Sequence, residues 1–249
     1  MKIILPLLLT FLIELTCCNN AFCFEQDLVL NPTKKENVEQ KEQNPSDFVP
    51  KGYVIFDKIV GDLNKDGIED CVLIIKGTDI NKVITDEFRG ELDRNRRGII
   101  VLFKKNNQYE LALKNEACFS SENEDGGVYF APELSFEIKN GNLYAQFAHG
   151  RYGNWEYTFR YQNSDFVLIG YDINYRSNFV SDWVTFDAVS INFLSKKKLK
   201  KEIINVTADG KETYKETWEK LTSKKLFILS EITDFDEISD FDEIDMSKY

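Results

Sequence analysis

The sequence has a single histidine, His149, and no Gly-x-Ser-x-Gly elbow. A nucleophile that depends on an imidazole has only that residue to use, in the loop-like run Ala148-His149-Gly150-Arg151-Tyr152-Gly153. There is no phosphate-binding glycine loop and no long strand–helix–strand alternation, so a nucleotide-binding α/β fold is not expected. Five prolines and 13 glycines are too few for a fibrous or low-complexity chain. Positive charge is also short. The 31 Lys and Arg face 42 Asp and Glu, and the net −11 repels phosphate backbones, so nucleic acid is excluded as an expected partner. What is present is ample apolar matter: 43% of residues are hydrophobic and 13% aromatic, enough for a real core.

A sustained apolar run, residues 3–13, follows Lys2. It is too short for a permanent membrane span and has the charged and apolar regions of a secretory signal. Ala21-Phe22-Cys23 supplies a cleavage site, so residues 1–23 read as a signal peptide. A lipoprotein signal is the alternative: Leu15-Thr16-Cys17-Cys18 resembles a lipobox with Cys18 as the acylated residue. A membrane would then be touched only through the N-terminal lipid. The expected location is secreted or periplasmic, or lipid-anchored to a bacterial membrane. Cleavage leaves Cys71 and Cys118. An even pair in an oxidising compartment suggests a disulfide, the alternative being two buried free thiols on neighbouring strands. Residues 24–50 are polar and read as a flexible leader before a domain over 51–229.

Within that domain short apolar runs recur between turn residues. Strands are expected over 53–60, 71–76, 98–104, 108–114, 134–139 and 143–148. Asn140-Gly141 is the strongest two-residue hairpin signal, and Lys105-Asn106-Asn107 marks another hairpin. In residues 155–161, Trp155, Tyr157, Phe159 and Tyr161 alternate with polar residues, which puts every aromatic on one face of a core strand. Further strands are expected over 165–171, 189–194, 200–206 and 226–229, while residues 212–221 read as a short helix or a strand, Glu and Lys favouring the helix. The fold class is mainly β: an antiparallel sheet, sandwich or barrel with at most one or two short helices.

Residues 230–249 stand apart. They contain a tandem six-residue repeat, Thr233-Asp234-Phe235-Asp236-Glu237-Ile238 and Ser239-Asp240-Phe241-Asp242-Glu243-Ile244, with eight acids and one lysine. The expectation is a solvated acidic tail. The sharper alternative is a docking segment whose Phe and Ile bind a groove on a basic partner.

The strongest motif is Asp62-Leu63-Asn64-Lys65-Asp66-Gly67-Ile68-Glu69-Asp70, that is D-x-N-x-D-G-x-x-D. Calcium takes oxygen ligands, and side chains at positions one, three and five of a tight loop converge on one point. Gly67 permits the bend, position seven offers the Ile68 carbonyl, and Asp70 follows at nine. Leu73 stands where an EF-hand has its bidentate Glu, and the flanks read as strands. The segment over 60–73 instead resembles the calcium loop of FG-GAP or VCBS-type repeats, the integrin-like β-propeller segment. That resemblance implies Asp62, Asn64, Asp66 and Asp70 as side-chain ligands and Ile68 as a carbonyl ligand. The motif does not recur, so a full propeller is not expected. The chain resembles secreted bacterial proteins of unassigned activity that carry one such loop.

Other features carry less. Residues 122–127 are acidic but lack the one-three-five pattern. Arg89, Arg94, Arg96 and Arg97 sit among acids and read as a solvated loop or ion-pair network. Trp183, with residues 174–182, forms a polar loop suited to a ligand. The sequence thus points to a non-enzymatic secreted or tethered β-domain with one structural calcium and a protein or glycan partner. The alternatives are a hydrolase of an envelope polymer and an inhibitor or immunity-type binding protein.

Overall fold

The computed structural model describes residues 44–123, 131–180, 182–222, 226–235 and 238. The expected signal segment with Cys18, the expected leader up to residue 43, most of the second acidic loop and the second tail repeat lie outside the described residues. Strands appear in chain order as β1 (Tyr53–Gly61), β2 (Asp70–Gly77), β3 (Val83–Asp86), β4 (Gly90–Asp93), β5 (Arg97–Lys105), β6 (Gln108–Phe119) and β7 (Glu133–Lys139). They continue as β8 (Asn142–Ala148), β9 (Gly153–Gln162), β10 (Asp165–Arg176), β11 (Phe186–Asn192), β12 (Lys197–Val206) and β13 (Glu212–Lys220). Among the described residues the only helical pieces are 3-10 turns of three or four residues.

Three antiparallel sheets result, none closed into a barrel. The first has the order β1-β2-β5-β6 and the second is a seven-stranded meander running β7 to β13 in sequence order. The β3–β4 hairpin is an excursion between β2 and β5. One core lies between the two larger sheets: Val72, Ile74, Ile99 and Val101 on one side pack with Leu143, Phe159, Tyr171 and Ile191 on the other. This is a sandwich, in which alternate residues of each strand face inward.

Strands β2 and β5 explain their unbroken apolar runs. Cys71, Leu73, Ile75, Ile100 and Leu102 point away from the sandwich core into a second cluster, against Phe48, Val49, Tyr53 and Tyr109. Both faces are therefore covered, so neither strand has a polar face. Phe48 and Val49 also correct the expected leader boundary. The polar stretch ends in a 3-10 turn, Pro45–Phe48, capped by Asn44, and the chain packs from there onward.

The tight turns follow their residues. Asn140 and Gly141 have φ of 54° and 71°, Asn106 and Asn107 have 51° and 61°, and Asn163 and Ser164 have 56° and 65°. Each pair links strands in direct register, Lys139 with Asn142, Lys105 with Gln108 and Gln162 with Asp165. Two-residue hairpins with positive φ match the twist of the flanking strands. The aromatic strand β9 behaves as its alternation demands: Tyr157 and Phe159 are buried in the core, and Trp155 and Tyr161 pack against it.

Three expectations are corrected. Residues 212–220 form β13, not a helix, because Tyr214 and Trp218 stand opposite Ile203 and Leu199 while Lys200–Glu219 and Lys201–Glu216 pair across the strands at 2.9 and 3.1 Å. Cross-strand partners override a weak helix propensity. Residues 226–229 contribute one bridge, Val167 to Ile228, and then a 3-10 turn, Leu229–Glu231. The tail is not simply solvated: Ile232, Phe235 and Ile238 belong to the main core.

Candidate metal centre

Residues 62–70 connect β1, an edge strand, to β2, a central one. Leu63 is buried in the main core and anchors the loop from below. The rim is closed by its own hydrogen bonds. Asp62 Oδ1 accepts from the backbone N–H groups of Lys65 (2.6 Å) and Asp66 (3.2 Å), and Oδ2 accepts from Gly67 (3.0 Å). Asn64 Oδ1 accepts from the Asp66 N–H at 2.9 Å, its Nδ2 donates to Asp66 Oδ2 at 3.0 Å, and Asp66 Oδ1 accepts from the Ile68 N–H at 2.8 Å. Short side chains that bond the backbone two to five residues on are what bends this loop. Lys65 and Gly67 take up the bend at φ of 64° and 85°, and nothing lies near the missing Gly67 side chain.

Asp70 is placed differently. It is fully buried, and its Oδ2 accepts from the N–H groups of Leu63 (2.8 Å) and Asn64 (3.4 Å) while Oδ1 accepts from Lys104 (3.0 Å) on β5. It ties both ends of the loop to the sheet. Burial pushes its carboxyl above the usual range; the three backbone donors act against that shift, and nearby Asp66 adds to it.

The structure thus brings Asp62, Asn64 and Asp66 together on one rim and sets Asp70 beneath them. The exposed Ile68 lies on the same turn. Among the described residues no three His, Cys, Asp or Glu side chains gather closely enough to hold a metal. The donors are all oxygen, which suits a hard cation. Asp62, Asn64 and Asp66 are engaged with the loop's own N–H groups, which close the rim.

The other sequence-named residues are dispersed. Cys71 and Cys118 are both free and buried. Cys71 lies in the outer cluster and Cys118 in the sandwich core, with β5 between their strands, so the expected disulfide is replaced by two separate thiols, and these are not on neighbouring strands either. Burial pushes both thiols up. His149 packs its ring near Tyr152 at 5.1 Å, at the start of the 3-10 turn Gly150–Tyr152. Glu122 pairs with Lys76 at 3.1 Å, and Lys76 also meets Asp93 at 3.0 Å. The arginines act as fasteners. Arg97 is buried, donates to the Ser120 carbonyl and lies over the Phe56 ring, while Arg96 donates to the Ala117 carbonyl and pairs with Asp234 at 2.9 Å. Trp183 is about half exposed and its indole rests against Gly210.

Sequence reasoning missed the C-terminal strap. Asn115 Nδ2 donates to the carbonyls of Leu229 (2.9 Å) and Ile232 (2.7 Å), holding the strap on β6. A shallow cavity of about 250 Å³ opens beside it, lined by Leu226, Phe227, Ile228 and Ile232. The strap's signal was the apolar spacing of three, Ile232, Phe235 and Ile238, inside an otherwise acidic segment, which a purely solvated tail does not need.

Comparison of the chain with protein-family models, with curated proteins and with solved structures finds no match.

Proposed function

We propose that the chain is a secreted or membrane-tethered binding protein, not an enzyme, whose loop over 62–70 holds one structural calcium. The observation that carries this reading is the loop itself. Asp62, Asn64 and Asp66 share one rim, the Gly67 backbone is in the left-handed region, and the segment joins an edge strand to the core. A cation drawn from solution would relieve the repulsion between the loop carboxylates and would favour ionised Asp70, whose carboxyl burial otherwise disfavours. On binding, Asp62, Asn64, Asp66 and Asp70 would turn side-chain oxygens from the N–H groups they now accept from towards the ion, and Ile68 would add its carbonyl. The role is a clip between β1 and β2, which leaves the exposed loops, Trp183 among them, for a protein or glycan partner.

The test is thermal unfolding of residues 24–249 with calcium and with a chelator, beside an Asp66→Ala variant. An ion that binds only the native state stabilises it by about 2.7 kcal/mol at a hundredfold excess over Kd. The expected result is a rise in Tm with calcium that the variant lacks. Equal Tm values with calcium and chelator in the unsubstituted protein would remove the calcium reading. Turnover of an envelope polymer lost on substituting one surface acid would overturn the non-enzymatic reading.

A further inference from the structure

We propose that the seat between the two sheets, filled by Ile232, Asp234, Phe235 and Ile238, is a peptide site for which this chain carries two ligands, the second being its own residues 237–244. In the structure Phe235 stacks on Phe119 with ring centres 4.6 Å apart and meets Tyr157 and Phe159 edge-on at 5.0 and 5.9 Å. Ile232 and Ile238 are buried on either side of it. Asp234 pairs with Arg96 at 2.9 Å, and the Ile232 carbonyl accepts from Asn115 at 2.7 Å. The seat therefore reads four side chains: Ile232, Asp234, Phe235 and Ile238.

Each of these four has the same residue six positions later: Ile238, Asp240, Phe241 and Ile244. The octapeptides over 231–238 and 237–244 are EITDFDEI and EISDFDEI, and they differ only at Thr233 against Ser239. Thr233 is exposed, so the one difference falls where the seat does not read the side chain. A slip by six residues conserves the Arg96 ion pair, the stacked phenylalanine and both flanking isoleucines. Leu229 keeps its place, because Asn115 holds its carbonyl independently at 2.9 Å. The slip adds six residues to the connection after Leu229, and loop-closure entropy rises only slowly with length. That entropy is the reason the first copy is preferred. Ile238 closes the seat in one register and opens it in the other, so the two copies exclude each other.

The experiment compares the whole chain with Phe235→Ala, Phe241→Ala and the double variant, by thermal unfolding and by peptide-resolved hydrogen exchange. Phe241→Ala is expected to leave Tm unchanged. Phe235→Ala is expected to melt lower, with protection from exchange passing from residues 231–236 to residues 239–244. The double variant is expected to melt at least about 4 °C below Phe235→Ala. Should the double variant fail to fold, the same comparison with Phe→Leu at both positions replaces it. Coincident melting of Phe235→Ala and the double variant, or no gain of protection at 239–244, would overturn the proposal. A rescue that strengthens with protein concentration would also overturn it, because the second ligand would then come from another molecule.

Discussion

Replacing Asp70 by alanine tests the energetics of the loop apart from any metal. The carboxylate is fully buried and holds the N–H groups of Leu63 and Lys104 at 2.8 and 3.0 Å, with that of Asn64 at the longer 3.4 Å. Alanine leaves two well-bonded donors without a partner, at a cost of about 1–3 kcal/mol each. Part of that is returned, because a buried carboxylate is itself costly, as the upward displacement of its pKa shows. The expected net loss is about 3 kcal/mol in the presence of chelator. For a domain of 150–250 residues each kcal/mol lowers Tm by about 2–4 °C, so the variant should melt about 6–12 °C lower. Urea unfolding followed by circular dichroism gives the free energy directly, with an unchanged m-value confirming the same native and unfolded states. A loss below about 1 kcal/mol would refute the reasoning, since it would mean that desolvation cancels the hydrogen bonds.

Further expectations concern other parts of the sandwich. Gly98 sits where residues 116–118 of β6 bulge over β5, and a Cβ there would run into the Asn115 and Glu116 carbonyls; Gly98→Ala should cost about 1–3 kcal/mol or more in urea unfolding. In a protein of residues 24–249, a thiol reagent should label Cys71 and Cys118 only after unfolding, and reductant should leave Tm unchanged; rapid labelling of the native protein would contradict the buried free thiols. Partial burial works to raise the Asp93 carboxyl, but hydrogen bonds from Asn95 and Lys76 outweigh it and hold the group below the ordinary value of 3.8. A depressed carboxylate stabilises the native state above its unfolded pKa and loses that contribution as pH falls through the folded one. Stability should therefore drop below about pH 4, and Lys76→Met should flatten that drop; a pH profile unchanged by the substitution would sink the assignment.

Much of the meander was legible from the residues. Asn140-Gly141 tolerates positive φ because glycine has no Cβ and asparagine enters the left-handed region readily, so its hairpin needed no tertiary information. The alternation in β9 named its core face for the same reason, since side chains on a strand alternate faces wherever the strand lies. The oxygen-rich turn over 62–70 was equally visible, because Asp and Asn bend the chain through bonds to nearby N–H groups. The depth of Asp70 was not, because it depends on Lys104 arriving from β5, 34 residues later.

Local residue chemistry set the turns, the strand faces, the mainly β class and the acid-rich rim at Asp62, Asn64 and Asp66. Tertiary structure decided what depends on distant partners. Glu212–Lys220 became a strand because β12 offered Lys200 and Lys201 to pair with Glu219 and Glu216, although its composition alone favours a helix. Cys71 and Cys118 stayed apart because β5 lies between their strands and the two thiols point into different clusters, a matter of sheet order that counting cysteines does not reveal. The acidic tail entered the core because Phe119, Tyr157 and Phe159 leave a place for the Phe235 ring, and Arg96 and Asn115 stand ready for its polar atoms. Charge predicts solvation only when no complementary seat exists, and a seat built from two sheets is assembled only once both have formed.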